Sequence, residues 1–179
     1  GVRPAFECFD IKDEAALKAC FQKHTNIEAI IHFAAYKAVG ESVEQPGKYY
    51  RNNLVTLMNL LDAMEAHKAP NLVFSSSCTV YGQPDKLPVD ENAPIKKATS
   101  PYGNTKQISE EIIADTISAS GNLQAISLRY FNPIGAHPSA LIGELPRGVP
   151  DNLVPFITQT AIGLRNELKV FGHDYNTPD

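Results

Sequence analysis

Short apolar runs alternate along this chain with longer segments in which apolar residues recur every three or four positions. The run at 29–35 is almost continuously apolar, which is typical of a strand covered on both faces of a parallel sheet. The segment 45–67 instead carries a helical stripe made by Tyr50, Leu54, Leu57, Leu61 and Met64. Because such segments alternate, the sequence predicts an α/β fold, a parallel sheet joined by right-handed helical crossovers.

The pattern places strands at 6–11, 29–35, 71–76, 125–131 and 169–171. It places helices at 13–24, 45–67, 102–119 and 153–164. Ser100 fits the N-cap of the helix 102–119, and Pro101 fits its first position. The helix 45–67 has a second apolar surface, which predicts a further partner such as another subunit. That surface is made by Val55, Met58 and Leu60.

Tyr102 and Lys106 lie four residues apart at the start of the helix 102–119, so both side chains are on one side of it. A lysine ammonium beside a phenol favours the phenolate and lowers the pKa of Tyr102. The hydroxyl of Ser77, at the end of the preceding strand, can share the proton transfer. Together they form an acid/base device for a substrate hydroxyl, which suits carbonyl–alcohol redox chemistry. The competing interpretation is an ordinary surface helix.

Ligands of parallel α/β sheets bind at the carboxyl ends of the strands. The polar groups of this chain lie there, at Asp10, 32–35, 75–77 and 130–132. No two of the 11 glycines are separated by one residue, so the Gly-x-Gly-x-x-Gly turn of dinucleotide-binding sheets is absent. We therefore expect an internal fragment of a longer protein, with 6–11 as the third strand of its sheet. The alternative is a complete chain that binds no dinucleotide.

Composition and charge argue against several kinds of partner. The formal net charge is −4 and no basic cluster is present, so nucleic acid is not expected as a partner. Cys8, Cys20 and Cys78 match no disulfide framework and no zinc spacing, which favours a reducing, cytoplasmic location. The five histidines are scattered, so we expect no metal site. No apolar run approaches the ~20 residues of a membrane helix.

Four parts of the chain resemble the UDP-glucose 4-epimerases, a family of extended short-chain dehydrogenase/reductases. These parts are 32–35 with 37–42, 75–82, 100–106 and 128–139. The Tyr-x-x-x-Lys and Val-Tyr-Gly patterns mark only the superfamily. The Lys-Ala-Val-Gly-Glu-Ser and Gly-Ala-His-Pro-Ser segments are more particular to the epimerases. The resemblance implies a partial Rossmann-like, NAD-binding domain at 1–150 and the truncated start of a substrate-binding domain at 151–179.

The resemblance also implies a reaction. The full-length protein would interconvert UDP-glucose and UDP-galactose in galactose metabolism, as a homodimer. Tyr102 would take the proton of the sugar 4-hydroxyl while bound NAD takes the hydride from C4, and the hydride would return to the other face of the ketone. Ser77 would hydrogen-bond the 4-oxygen, and Lys106 would hold the nicotinamide ribose. The isolated chain is expected to be inactive and to bind NAD poorly.

The site residues implied by the resemblance fall into three groups. The catalytic residues are Ser77, Tyr102 and Lys106. The NAD-binding residues are Asp10, Ile11, Phe33, Ala34, Lys37, Asn52, Tyr102, Lys106 and Tyr130. The UDP-sugar-binding residues are Ser77, Tyr102, Asn132, Asn152 and Phe171. Plainer interpretations are a helix cap for Asp10, core for Phe33, Ala34 and Phe171, solvent exposure for Asn52 and a turn for Asn132.

Other functions stay open on the sequence alone. A sugar-nucleotide 4,6-dehydratase needs carboxylates directly after the position of Ser77, where this chain has Cys78 and Thr79. That interpretation is therefore weak, whereas a uronate or pentose nucleotide-sugar 4-epimerase is closer. A non-catalytic, dinucleotide-sensing scaffold protein on the same fold belongs to a different class, and such proteins have usually lost the Tyr/Lys pair.

Overall fold

The structure is a computed structural model that describes residues 3–146, 148–170 and 172. The chain divides into two compact units, residues 1–131 and residues 132–179. The elements of the first unit are α1 (Glu14–Lys23), β1 (Ala29–His32), α2 (Val39–Glu44), α3 (Pro46–His67), β2 (Asn71–Ser77), a 3-10 helix (Cys78–Tyr81), α4 (Pro101–Ser120) and β3 (Gln124–Tyr130). The second unit contains α5 (Leu153–Ala161). The functional boundary predicted near residue 150 stays a prediction.

The three strands form one parallel sheet in the order β1-β2-β3. Asn71 lies opposite Ala29 on one side and opposite Gln124 on the other, and Ser77 lies opposite Tyr130. The carboxyl ends of the strands therefore meet at one edge of the sheet. This arrangement confirms the predicted α/β fold class, and the long helices at 45–67 and 102–119 are confirmed within one residue at each end.

Helices α1, α3 and α4 pack with β2 around one hydrophobic core. Its buried members are Leu17, Phe21, Leu57, Leu60, Leu61, Met64, Ala69, Leu72, Phe74 and Ile113. The predicted stripe of α3 contributes Leu57, Leu61 and Met64 to this core. Leu60, assigned to the second surface of α3 from the sequence, also belongs to the core, whereas Met58 is 42% exposed.

Two predictions about the strands are wrong. The segment 6–11 forms no strand, and Phe6 is 86% exposed. In a doubly wound sheet of order 3-2-1-4-5-6 the third strand pairs with the second, and no described strand offers that partner. The strand expected at 29–35 ends at His32 and is covered on one face only. Ile31 and Ile126 lie exposed on the other face, because the helices of the first unit pack on the opposite side.

The remaining differences concern short elements and element ends. Helix α5 ends at Ala161 instead of residue 164, and Gly163 follows with a positive φ of 78°. Lys169 and Val170 are not in a strand, and Phe171 lies outside the described residues. Helix α2 and the 3-10 helix were not predicted, since six and four residues are too few to show a helical period.

Candidate active site

Helix α4 begins with a first turn whose backbone donors are satisfied by side chains. The Oγ of Ser100 accepts a hydrogen bond from the N–H of Gly103 at 3.1 Å, as predicted for an N-cap. The N–H of Tyr102 donates to the Oγ of Ser42 at 3.1 Å. Ser42 is fully buried, and its own hydroxyl donates to the carbonyl of Val39 at 2.6 Å. Helix α2 therefore helps to fix the position of Tyr102.

The three predicted catalytic residues lie together at the carboxyl end of β2. Tyr102 and Lys106 are on consecutive turns of α4, and the hydroxyl of Ser77 faces the phenol of Tyr102. The Nζ of Lys106 donates to the carbonyl oxygen of Ser75 at 2.7 Å. It lies 4.8 Å from the centre of the Phe74 ring and 5.9 Å from the centre of the Tyr102 ring. Lys106 is only 4% exposed.

Burial dominates the electrostatics of this group. It raises the pKa of Tyr102, and the hydrogen bond from Ser77 acts in the opposite direction. Burial also lowers the pKa of Lys106 to about 8, against the charge of Glu110, which raises it. The predicted lowering of the Tyr102 pKa by Lys106 is not observed, because the ammonium donates to the Ser75 carbonyl and stands away from the phenol ring.

The hydroxyl of Ser77 is oriented by its neighbours. Its Oγ accepts hydrogen bonds from the backbone N–H of Thr79 at 3.3 Å and from the Oγ1 of Thr79 at 3.0 Å. With both acceptor sites used, its one proton is available for the oxygen of Tyr102. The side chains after Ser77 are the thiol of Cys78 and the hydroxyl of Thr79, so no carboxylate follows it directly.

A cleft of about 290 Å³ lies beyond the carboxyl end of β1. It is lined by Phe9, Asp10, Ile11, Ala34, Ala35, Tyr36, Asn52 and Thr56. Four of the predicted NAD-binding residues therefore share one cleft: Asp10, Ile11, Ala34 and Asn52. Asp10 does not cap α1, since the N-cap is Asp13. The carboxylate of Asp10 instead accepts from the N–H of Lys12 at 2.9 Å, which lowers the pKa of Asp10.

Two buried asparagines of α3, which sequence reasoning missed, hold the cleft in place. The side chain of Asn53 accepts from the N–H of Tyr36 at 2.9 Å and donates to the Oγ1 of Thr105 at 3.1 Å. It thus connects the cleft to α4. Asn59 donates to the carbonyl of Ile11 at 3.2 Å. The available sequence signal for these asparagines is a polar residue in a helix that is expected to pack on the sheet. That signal does not identify the groups to which the asparagines bond.

His32 is a buried imidazole beside the catalytic group that no predicted role uses. Its ring stacks on Phe74 with 6.0 Å between ring centroids. Burial and, to a smaller extent, the charge of Lys106 lower the pKa of His32 to about 4. The imidazole is therefore neutral at neutral pH and adds no charge to the site.

The other predicted site residues of the first unit lie outside this cleft. Tyr130 is opposite Ser77 in the sheet register, so it shares the edge that carries the catalytic group. Phe33 and Lys37 follow β1 and are exposed.

Three predicted sugar-binding residues belong to the rest of the chain. Asn132 and Asn152 lie in the second unit, where the Nδ2 of Asn152 donates to Glu144 at 3.0 Å. Phe171 lies outside the described residues. The contact of these three residues with a sugar therefore stays a prediction.

Neither a metal cluster nor a membrane-spanning helix is found in the part of the chain that the structure describes. Within residues 3–146, 148–170 and 172, no three side chains of His, Cys, Asp or Glu are grouped to hold a metal ion. In the same part of the chain, no helix has both the length and the apolar character needed to cross a bilayer.

The chain matches the family model described as the NAD dependent epimerase/dehydratase family over residues 2–175. The chain belongs to this family. It is 55% identical over 174 residues to the UDP-glucose 4-epimerase of Bos taurus, covering 97% of this chain and 50% of the relative. It thus spans about half the length of the curated relatives that it matches.

Solved structures of UDP-glucose 4-epimerases superpose well on the chain. The enzyme from Bifidobacterium longum, in complex with NAD+ and UDP, gives a TM-score of 0.91 at 46% identity, covering 96% of this chain and 51% of that one. The enzyme from Stenotrophomonas maltophila, with bound NAD and formylated UDP-arabinopyranose, gives 0.91 at 49% identity, covering 98% and 52%. These likenesses agree with the sequence resemblance stated above.

Proposed function

We propose that the full-length protein interconverts UDP-glucose and UDP-galactose by NAD-dependent oxidation and re-reduction at C4 of the sugar. The observation that carries this proposal is the group at the end of β2. There the hydroxyl of Ser77 faces the phenol of Tyr102, and the ammonium of Lys106, one helical turn further along α4, donates to the Ser75 carbonyl. The names of the relatives, of which one is 55% identical to this chain over 174 aligned residues, support the same reaction.

The cleft beyond β1 supports NAD as the cofactor. The carboxylate of Asp10 and the amide of Asn52 offer polar groups for ribose hydroxyls, which an acidic residue binds in dinucleotide-binding sheets. Ile11 and Ala34 add apolar surface suited to a flat base. When bound, NAD supplies the hydride acceptor. Lys106 would hold the nicotinamide ribose, as the family resemblance implies.

Tyr102 moves the proton at the sugar 4-hydroxyl. Its phenol is half-buried, and burial raises its pKa, so the neutral phenol is the resting form at neutral pH. The proton of Ser77 can be donated to the Tyr102 oxygen, because Thr79 occupies both acceptor sites of Ser77. That donation stabilises the phenolate when Tyr102 acts as the base. Ser77 and Tyr102 therefore act together on one oxygen.

The neighbourhood of Ser77 favours epimerisation over dehydration. Elimination of water requires a base for the proton at C5 of the sugar and an acid for the hydroxyl that leaves C6. Cys78 and Thr79 stand where the dehydratases carry carboxylates, and the hydroxyl of Thr79 is committed to Ser77. The residues after Ser77 therefore favour epimerisation at C4, whose product would keep the mass of the substrate.

Two further proposals concern the protein as a whole. We propose a homodimer that packs through α3 and α4, supported by the exposure of Met58 on an otherwise well-packed helix. We also propose a cytoplasmic location, supported by Cys8, Cys20 and Cys78, all of which are free thiols.

The reaction is tested by giving UDP-galactose to the full-length protein and separating the products by chromatography with mass detection. We expect UDP-glucose of unchanged mass. Tyr102→Phe keeps the ring but removes the acid/base group, so turnover should fall by about 10²–10⁴-fold. Tyr50→Phe is the matched control, since Tyr50 is also partly buried and hydrogen-bonded but lies outside the site.

Three outcomes would contradict the proposal. Loss of water from the nucleotide sugar would assign the protein to the dehydratases. Conversion of UDP-pentoses or UDP-uronates alone would assign it to another 4-epimerase. Near-normal turnover by Tyr102→Phe would remove Tyr102 from its proposed role.

A further inference from the structure

Three consecutive turns of α4 contact the last three residues of β2. Tyr102 faces Ser77 at the end of the segment 75–77, and Lys106 donates to the carbonyl of Ser75 at its start. Glu110 is one turn further along the helix, and its Oε1 accepts a hydrogen bond of 2.5 Å from the Oγ of Ser76. Tyr102, Lys106 and Glu110 thus make three successive contacts between α4 and the end of β2.

Glu110 also pairs with Arg129 on β3. The Nε of Arg129 donates to Oε1 at 3.0 Å and one terminal nitrogen donates to Oε2 at 2.6 Å, a bidentate geometry. The other terminal nitrogen donates to the hydroxyl of Tyr81 at 3.0 Å, and the guanidinium carbon lies 4.9 Å from the centre of the Tyr81 ring. The side chain of Glu110 is only 12% exposed. The Glu110 carboxylate thus binds β2 and β3 to α4, and Arg129 extends the network to the 3-10 helix.

We propose that Glu110 is a positioning residue for the reaction. Through Ser76 and Arg129 it sets the register of α4 on the sheet, and it supplies the negative charge that balances the buried ammonium of Lys106. Glu110 itself touches neither sugar nor cofactor in this role. The effect of Glu110 on catalysis rests on the proposed function, whereas the charge coupling between Glu110 and Lys106 can be measured independently of it.

The charges around Lys106 fix the sign of the effect. From β1 the ammonium faces His32, which is neutral at neutral pH, and on its own helix it faces the neutral phenol of Tyr102. Glu110 is the carboxylate whose charge raises the pKa of Lys106. Arg129 competes for that same carboxylate. Loss of the Glu110 charge should therefore lower the Lys106 pKa, and loss of the Arg129 charge should raise it.

The test is an NMR titration of the full-length protein labelled with ¹³C at lysine Cε. The Lys106 signal is assigned by its absence in Lys106→Met. In Glu110→Gln the midpoint should fall by about one pH unit or more, as expected for loss of an opposite charge. In Arg129→Gln it should rise. Ser76→Ala is the control, because it removes a hydrogen bond of Glu110 and leaves every charge in place, so its midpoint should stay close to that of the wild type.

The alkaline limb of the kcat–pH profile should shift in the same directions, to lower pH in Glu110→Gln and to higher pH in Arg129→Gln. Above the midpoint, a shift of one pH unit changes the charged fraction of Lys106 by about tenfold. Shifts in the same direction in Glu110→Gln and Arg129→Gln, or no shift in either, would overturn the inference. If Glu110→Gln does not fold, the upward shift in Arg129→Gln decides alone. A wild type without epimerase activity would refute the proposed function but leave the titration as a valid test of the coupling.

Discussion

Replacing Ser42 with alanine should loosen the start of α4 and with it Tyr102. The hydroxyl of Ser42 is fully buried and makes two hydrogen bonds, from the N–H of Tyr102 and to the carbonyl of Val39. Alanine leaves both backbone groups without that partner. The N-cap Ser100 satisfies a different donor, the N–H of Gly103. A buried polar group left unsatisfied costs about 1–3 kcal/mol, so we expect the free energy of unfolding to fall by about 2 kcal/mol.

Amide hydrogen exchange at Tyr102 reports this change locally. A cost of about 2 kcal/mol corresponds to roughly 30-fold faster exchange of the Tyr102 amide if opening of the first turn carries the whole effect. Urea denaturation of the full-length protein gives the global value. Ser118→Ala is the matched control, because Ser118 is exposed on the same helix and bonds only to the carbonyl of Ala114. Its effect should stay within about 0.5 kcal/mol.

The reasoning would be refuted by one particular result. If Ser42→Ala leaves both the exchange rate of the Tyr102 amide and the stability at the level of Ser118→Ala, then Ser42 does not support the helix. A loss of stability with unchanged exchange at Tyr102 would place the effect at Val39 and α2 instead.

Two further predictions concern titration and assembly. The pKa of His32 is about 4 in the folded chain and 6.5 for an unperturbed imidazole, so the unfolded state binds more protons between these values. Stability is therefore lost as pH falls from about 6.5 to 4, and the loss at pH 5 is about 2 kcal/mol. Urea titrations of the wild type and of His32→Gln at pH 7 and pH 5 should show this loss only in the wild type. Met58→Asp places a carboxylate on the exposed part of α3 and should convert the proposed dimer to a monomer in sedimentation. A wild type that sediments as a monomer at micromolar concentration would contradict the dimer.

The elements that sequence reasoning predicted well are those whose evidence is local. The apolar stripe of α3 and the Ser100-Pro101 start of α4 each lie within a few residues, and both helices were placed within one residue. The segment 6–11 failed because a strand depends on a neighbouring strand that its own sequence does not specify. The apolar run at 29–35 failed at its end for a different reason, since β2 continues to Ser77 but the chain after His32 lines the cleft instead of extending β1.

The site divides in the same way. Tyr102 and Lys106 could be predicted because four residues of helix separate them. Ser42 and Asn53 could not, because their partners on α4 lie 60 and 52 residues away in the sequence. From the sequence alone, Glu110 is an ordinary polar residue of an amphipathic helix. Its pairing with Arg129 on β3 is seen only in the folded chain.

The early end of β1 is what leaves room for the site. The register pairs His32 with Phe74, so a strand continuing to residue 35 would have lain beside residues 75–77 of β2. Because β1 stops at His32, no residue of β1 lies opposite that segment, and Lys106 donates to one of its backbone groups, the Ser75 carbonyl. The chain after His32 instead turns away to line the cleft with Ala34 and Tyr36. The three residues by which β2 extends beyond β1 are Ser75, Ser76 and Ser77. They provide the carbonyl to which Lys106 donates, the hydroxyl that donates to Glu110 and the hydroxyl that faces Tyr102.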